Sequence, residues 1–158
     1  MQLSEIYRGL GQPACTEIIR SISIGKLKTY QLYDRMKVRL HVPKLNSEAL
    51  RKVAPRLWER INENDEPLAT ELGQAVLVSH LDMIVAALNV LGIPNEDGFF
   101  AKDLDPASYL TEGWQQRVVD ALRGKFPEAL VTFYINHLAW ELGRLTEIFV
   151  PAAQAAAQ

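Results

Sequence analysis

From Leu72 to Ile93 the chain is almost wholly apolar and close to the length of about 20 residues that crosses a bilayer. Gln74, Ser79, His80, Asp82 and Asn89 interrupt the run. In hydrocarbon these groups would have no water to bond with, so the stretch reads as the core helix of a water-soluble domain rather than a membrane span. Asn64 or Asp65 is placed to cap it, Pro67 suits its first turn, and Gly92 with Pro94 closes it. The expectation is one buried central helix over residues 66–91, with the rest of the chain packed around it as an all-α, compact multi-helix bundle.

The flanking segments supply the partners. Pro13 suits a first helical turn, Gly25 a stop, and Ile18, Ile19 and Ile22 share one face. Residues 22–42 are ambiguous. Tyr33, Met36 and Leu40 fit a helix capped by Thr29, whereas Met36, Val38, Leu40 and Val42 alternate with Lys37, Arg39 and His41 as in a short β-hairpin. Beyond Pro43, Leu50, Val53, Leu57 and Ile61 define an apolar face behind an Asn46 or Ser47 cap, with Pro55 expected to kink or split the helix. Two further helices are expected from Thr111 to Arg123 and from Pro127 to about Phe149. Between them and the central helix lies a long connection with turn signals at Asp97-Gly98 and Asp105-Pro106. The segments 79–88 and 136–145 share a polar residue, His, Leu and a Leu seven residues later, a faint echo that suits a bundle without establishing a repeat.

One domain is expected over residues 1–150, with 151–158 as a frayed Ala/Gln tail. Charge is lopsided along it. Residues 1–60 hold twelve Lys and Arg against five Asp and Glu, a net of +7, and the remainder holds five against fourteen, a net of −9. Such a division suits either an anionic partner or oppositely charged faces that meet within or between chains. The lone Cys15 forms no intramolecular disulfide, and MQLSEIYRGL lacks the apolar core of a secretory signal, so the expected compartment is the cytoplasm.

Four constellations carry potential chemistry. His137 and Glu141, four residues apart, share a helix face, and with His80 they are the candidate metal or acid–base site. The competing reading makes His80 a core histidine and His137 a boundary residue. Glu96, Asp97, Asp103 and Asp105 offer oxygen ligands without the spacing of a calcium-binding loop, and so read as solvated acids and turn formers. Cys15 lies near a helical start, where the dipole lowers a thiol pKa, yet no histidine adjoins it. Lys52, Arg56 and Arg60 recur every fourth residue, as do Arg35 and Arg39, giving a candidate anion or nucleic-acid stripe. A pI near 5.9 and the lack of a glycine-bearing turn between short helices count against DNA reading. Phe99 and Phe100 either anchor their loop or contact a partner.

No phosphate-binding, dinucleotide or nucleophile-elbow motif is present, and no cofactor is implied. The favoured expectation is a non-enzymatic interaction or assembly module that forms a homo-oligomer, its partner a second copy or another protein. The alternatives are a nucleic-acid-linked regulator using the basic third, and a metal-dependent or ligand-binding helical enzyme using His80, His137 and Glu141.

Overall fold

The apolar helix expected over residues 66–91 stops at Ser79 in the computed structural model, which describes residues 1–151, and a new helix starts at Leu81. His80 makes the break with a φ of −132° and ψ of 43°. Ser79 prepares it. Its hydroxyl donates to the Ala75 carbonyl at 2.7 Å and accepts from the Ser23 N–H at 2.9 Å, a back-bonding pattern that loosens a helix at that point. The expected single central helix is thus corrected to two.

In chain order the described residues form α1 (Leu3–Leu10), α2 (Gln12–Arg20), α3 (Ile24–Thr29), α4 (Tyr33–Arg39), α5 (Ser47–Asn62), α6 (Glu66–Ser79) and α7 (Leu81–Leu91). Two short strands, β1 (Asn95–Glu96) and β2 (Phe99–Phe100), and a 3-10 turn over Pro106–Tyr109 precede α8 (Trp114–Leu122) and α9 (Glu128–Glu141). The fold is all-α. The tail from residue 152 lies outside the described residues.

The chain forms two compact units, one of residues 2–79 and the other of Met1 with the residues from His80 onward. The first holds twelve Lys and Arg against nine Asp and Glu, a net of +3, and the second five against ten, a net of −5.

In the first unit α6 packs against each of the other five helices, and the closest pairing is α2 on α5. Leu68, Ala69, Leu72, Ala75 and Val76 of α6 are fully buried, as are Ile6, Tyr7, Ile19, Leu57 and Ile61 from its neighbours. The turn between α5 and α6 organises the helix ends. Asp65 caps α6 by accepting from the Leu68 N–H at 3.1 Å, and Glu66 accepts the Ser4 N–H of α1 at 3.0 Å. Tyr7 donates to the Ala69 carbonyl at 3.2 Å. Asn46, not Ser47, caps α5, which continues through Pro55 without splitting.

Residues 22–42 contain no hairpin. Ser23 caps α3 through the Lys26 N–H, Thr29 ends that helix rather than starting one, and Gly25 lies in its first turn. Three residues, Tyr30–Leu32, lead into α4, with Gln31 in the left-handed region at a φ of 61°. A turn that sequence signals tie to glycine is here built on glutamine. The alternation over 36–42 that suggested a strand places Met36 and Leu40 in the core four residues apart, as a helix does.

In the second unit the long connection is partly ordered by a hairpin. Asn95 pairs with Phe100 and Glu96 with Phe99 around an Asp97-Gly98 turn, where both residues have positive φ, 53° and 93°. The helix α8 starts at Trp114 rather than Thr111 because Gly113 is left-handed at a φ of 77°. The helix α9 is buried on all sides from Leu130 to Ala139. It stops at Glu141, short of the expected Phe149, because Gly143 turns left-handed: Gly143 donates to the Trp140 carbonyl and Arg144 to that of Ala139.

Candidate functional site

The basic stripe is where sequence and structure meet most directly. Arg35 and Arg39 stand on α4 and Lys52, Arg56 and Arg60 on α5, as their four-residue spacing requires. Most of these cations are already engaged inside the first unit. Arg39 forms a two-pronged pair with Glu71 of α6, at 2.9 and 3.1 Å, and this contact holds the Glu71 carboxyl below its ordinary pKa. Arg60 pairs with Asp65 at 2.9 Å and donates to the Arg39 carbonyl at 3.1 Å. Arg56 donates to the Leu40 carbonyl at 2.9 Å.

The last two contacts have one physical cause. The final carbonyls of α4 have no partner within their helix and carry the negative end of its dipole. Two guanidinium groups one turn apart on α5 reach those carbonyls. Lys52 pairs with Glu48 at 3.1 Å on the exposed side of the same helix. Among the described residues Arg35 and Arg56 are the exposed stripe residues without an ion pair, and Arg56 is engaged at the Leu40 carbonyl, which leaves Arg35 as the stripe guanidinium without a hydrogen-bonded partner.

These residues border a groove of about 510 Å³, lined by Asp34, Arg35, Val38, Arg39 and His41 from α4 and its end, Arg60 from α5 and Glu71 from α6. Val38 is 69% exposed, the most exposed large apolar side chain among the described residues. The groove therefore combines a fixed ionic wall with an exposed apolar residue, the Arg35 guanidinium and the Asp34 carboxylate beside it. Lys26, Lys28, Lys37 and Lys44 also make no ion pair among the described residues, although Lys28 lies over the Tyr33 ring at 5.1 Å. These lysines are functional candidates outside the spacing pattern. Their signal was the excess of six cations over the single Asp34 between residues 26 and 44.

The second candidate set is not assembled. Among the described residues no group of three or more His, Cys, Asp or Glu side chains is arranged to hold a metal ion. His80 forms the helix break, whereas His137 lies inside α9, so the two segments that echo each other in sequence play different structural parts. His137 is 7% exposed, set between Phe133 and Trp140 with ring centroids 5.8 and 5.6 Å away, and its Nδ1 has no hydrogen-bond partner. Burial pushes its pKa down to about 4 and keeps it neutral. Glu141, one turn on, is exposed.

Cys15 is fully buried, and burial pushes its thiol up to about 12, the reverse of activation by a helix start. Glu96, Asp97, Asp103 and Asp105 are exposed and make no ion pair among the described residues. Asp105 begins the 3-10 turn through its backbone carbonyl, which accepts from Ser108, rather than through its carboxylate. Beside them Phe99 is 52% exposed and Phe100 is half-buried. Among the described residues no single helix is long and apolar enough to cross a membrane.

Comparison with protein-family models, with curated proteins and with solved structures gives no match to this chain.

Proposed function

We propose that the chain is an interaction and assembly module that forms homo-oligomers. The observation that carries this reading is the groove beside α4. Its Arg39–Glu71 and Arg60–Asp65 contacts stiffen the wall, while Arg35 and the 69%-exposed Val38 stand on the rim. A rigid charged wall with an apolar residue at its edge suits contact with another macromolecular surface. The opposite net charges of the two units favour a second copy of this chain as the partner.

Light scattering coupled to size-exclusion chromatography tests the reading. Over rising concentration at low salt the expected mass exceeds that of one chain, 17.8 kDa. A constant single-chain mass up to high micromolar concentration overturns it. A second reading, binding of a nucleic acid or other polyanion, draws on the unpaired Lys26, Lys28, Arg35, Lys37 and Lys44. Excess absorbance at 260 nm that disappears at high salt would favour it.

A further inference from the structure

The exposed parts of the two units are complementary in two respects. Residues 26–44 carry six Lys and Arg against Asp34, and of these only Arg39 is in an ion pair among the described residues. Residues 95–105 carry four Asp and Glu against Lys102, with none of the four in an ion pair among the described residues. Each surface also presents an exposed apolar side chain: Val38 at the groove rim, 69% exposed, and Phe99 at the hairpin, 52% exposed.

We infer that the groove beside α4 receives the acidic segment 95–105 of a second copy, its hairpin leading, so that association runs head to tail. This rests on the self-association reading and specifies its surfaces. The hairpin is suited to the part. Its Asp97-Gly98 turn fixes the backbone, Asn95 accepts the Gly98 N–H at 3.1 Å, and the strand pairing keeps Phe99 adjacent to Glu96. Phe99 is thus presented on a constrained element opposite Glu96, with Asp97 in the turn. At the groove, Arg35 meets those carboxylates while Val38 offers the apolar contact, and the lysines of residues 26–44 outweigh Asp34 in the local charge.

Charges of this kind act mainly on encounter and orientation, over a screening distance of about 10 Å at 0.1 M salt, so the association weakens as salt rises. Because the two surfaces differ, each contact leaves one groove and one hairpin unused. Such a heterologous contact continues to longer assemblies unless it closes into a ring.

The test uses two variants of the full chain. In the groove variant Arg35→Ser and Val38→Ser remove the guanidinium and the apolar contact, and in the hairpin variant Glu96→Ser and Asp105→Ser remove two of the carboxylates, so that the two altered faces carry no new complementarity. All four positions are exposed, and melting curves check that each variant folds. By light scattering, each variant alone is expected to remain a single chain. An equimolar mixture is expected to form a species of two chains that does not grow with concentration, because one intact groove meets one intact hairpin and nothing remains to extend it. Folded variants that associate as the parent does would overturn the head-to-tail contact and leave self-association standing. So would folded variants that stay single when mixed. A parent chain that is itself a single species at every concentration would remove both.

Discussion

Asn136, fully buried in α9, holds Phe149 by both backbone groups: its Oδ1 accepts the Phe149 N–H at 2.8 Å and its Nδ2 donates to the Phe149 carbonyl at 3.2 Å. The same Nδ2 also reaches the Thr132 carbonyl of its own helix at 2.9 Å. A buried amide thereby does for residues 142–151 what a neighbouring strand would do, satisfying a segment that has no helix of its own. Asn136→Leu leaves these groups without a partner. It is expected to lower stability by about 2 kcal/mol and to speed hydrogen exchange at the Phe149 amide far more than at the amides of α8. Unchanged exchange at Phe149 would show that the amide does not hold this segment.

The burial of His137 gives stability a definite pH dependence. Its folded pKa is about 4, against an ordinary value of 6.5. Above 6.5 the imidazole is neutral in both states and contributes no pH dependence. As pH falls below 6.5 the unfolded chain takes up the proton first, so stability declines until pH reaches about 4. A shift of this size corresponds to roughly 3 kcal/mol. In denaturant titrations between pH 7 and pH 4, His137→Leu should remove most of that decline while other acid-sensitive groups keep theirs.

For Arg39 and Glu71 the sign is opposite. The Glu71 carboxyl is held below its ordinary 4.5, so the pair contributes above that value and is lost as pH drops through the folded pKa. With side chains 35% and 20% exposed, solvent screens the contact, and a double-mutant cycle of Arg39→Ala with Glu71→Gln should give a coupling of about 1 kcal/mol or less at pH 7. No measurable coupling at low salt would mean that the groove wall is not tied by this pair.

Gly98→Ala tests the hairpin. At a φ of +93° an L-residue is strained, and the added Cβ would meet Ile84 Cγ2 at 3.3 Å and the Leu81 carbonyl oxygen at 3.6 Å. A loss of about 1–2 kcal/mol in chemical denaturation is expected. If the hairpin contact between copies operates, self-association should also weaken when measured where the variant is still fully folded.

Helix content was legible wherever caps, prolines and apolar spacing agreed, as from Asn46 to Ile61 around Leu50, Val53 and Leu57. Boundaries failed where one residue departed from its usual role. His80 broke a helix in the middle of an apolar run, with no glycine or proline to announce it, and Gln31 took a left-handed position that sequence rules reserve for glycine or asparagine. At the candidate site, the spacing of Arg56 and Arg60 correctly placed both on one helix. The same spacing serves a phosphate backbone or the carbonyl end of a neighbouring helix, and only the tertiary position of Leu40 separates the two uses. For His80, His137 and Glu141, no group of three such side chains is arranged to hold a metal among the described residues, since a helix face specifies direction but not what stands opposite it.

The cap that Glu66 places on the Ser4 N–H spans 62 residues of sequence, as does the bond from Tyr7 to Ala69. On a ribosome adding about 5–20 residues each second, roughly 3–12 s separate the synthesis of Ser4 from that of its partner. Through that interval α1 has α2 and then α5 to pack on, while α6, which completes its cover, is still unmade. The order of synthesis thus leaves the first helix waiting for the last element of its unit, and a binding factor that acts on the nascent chain would find Ile6 and Tyr7 accessible only then.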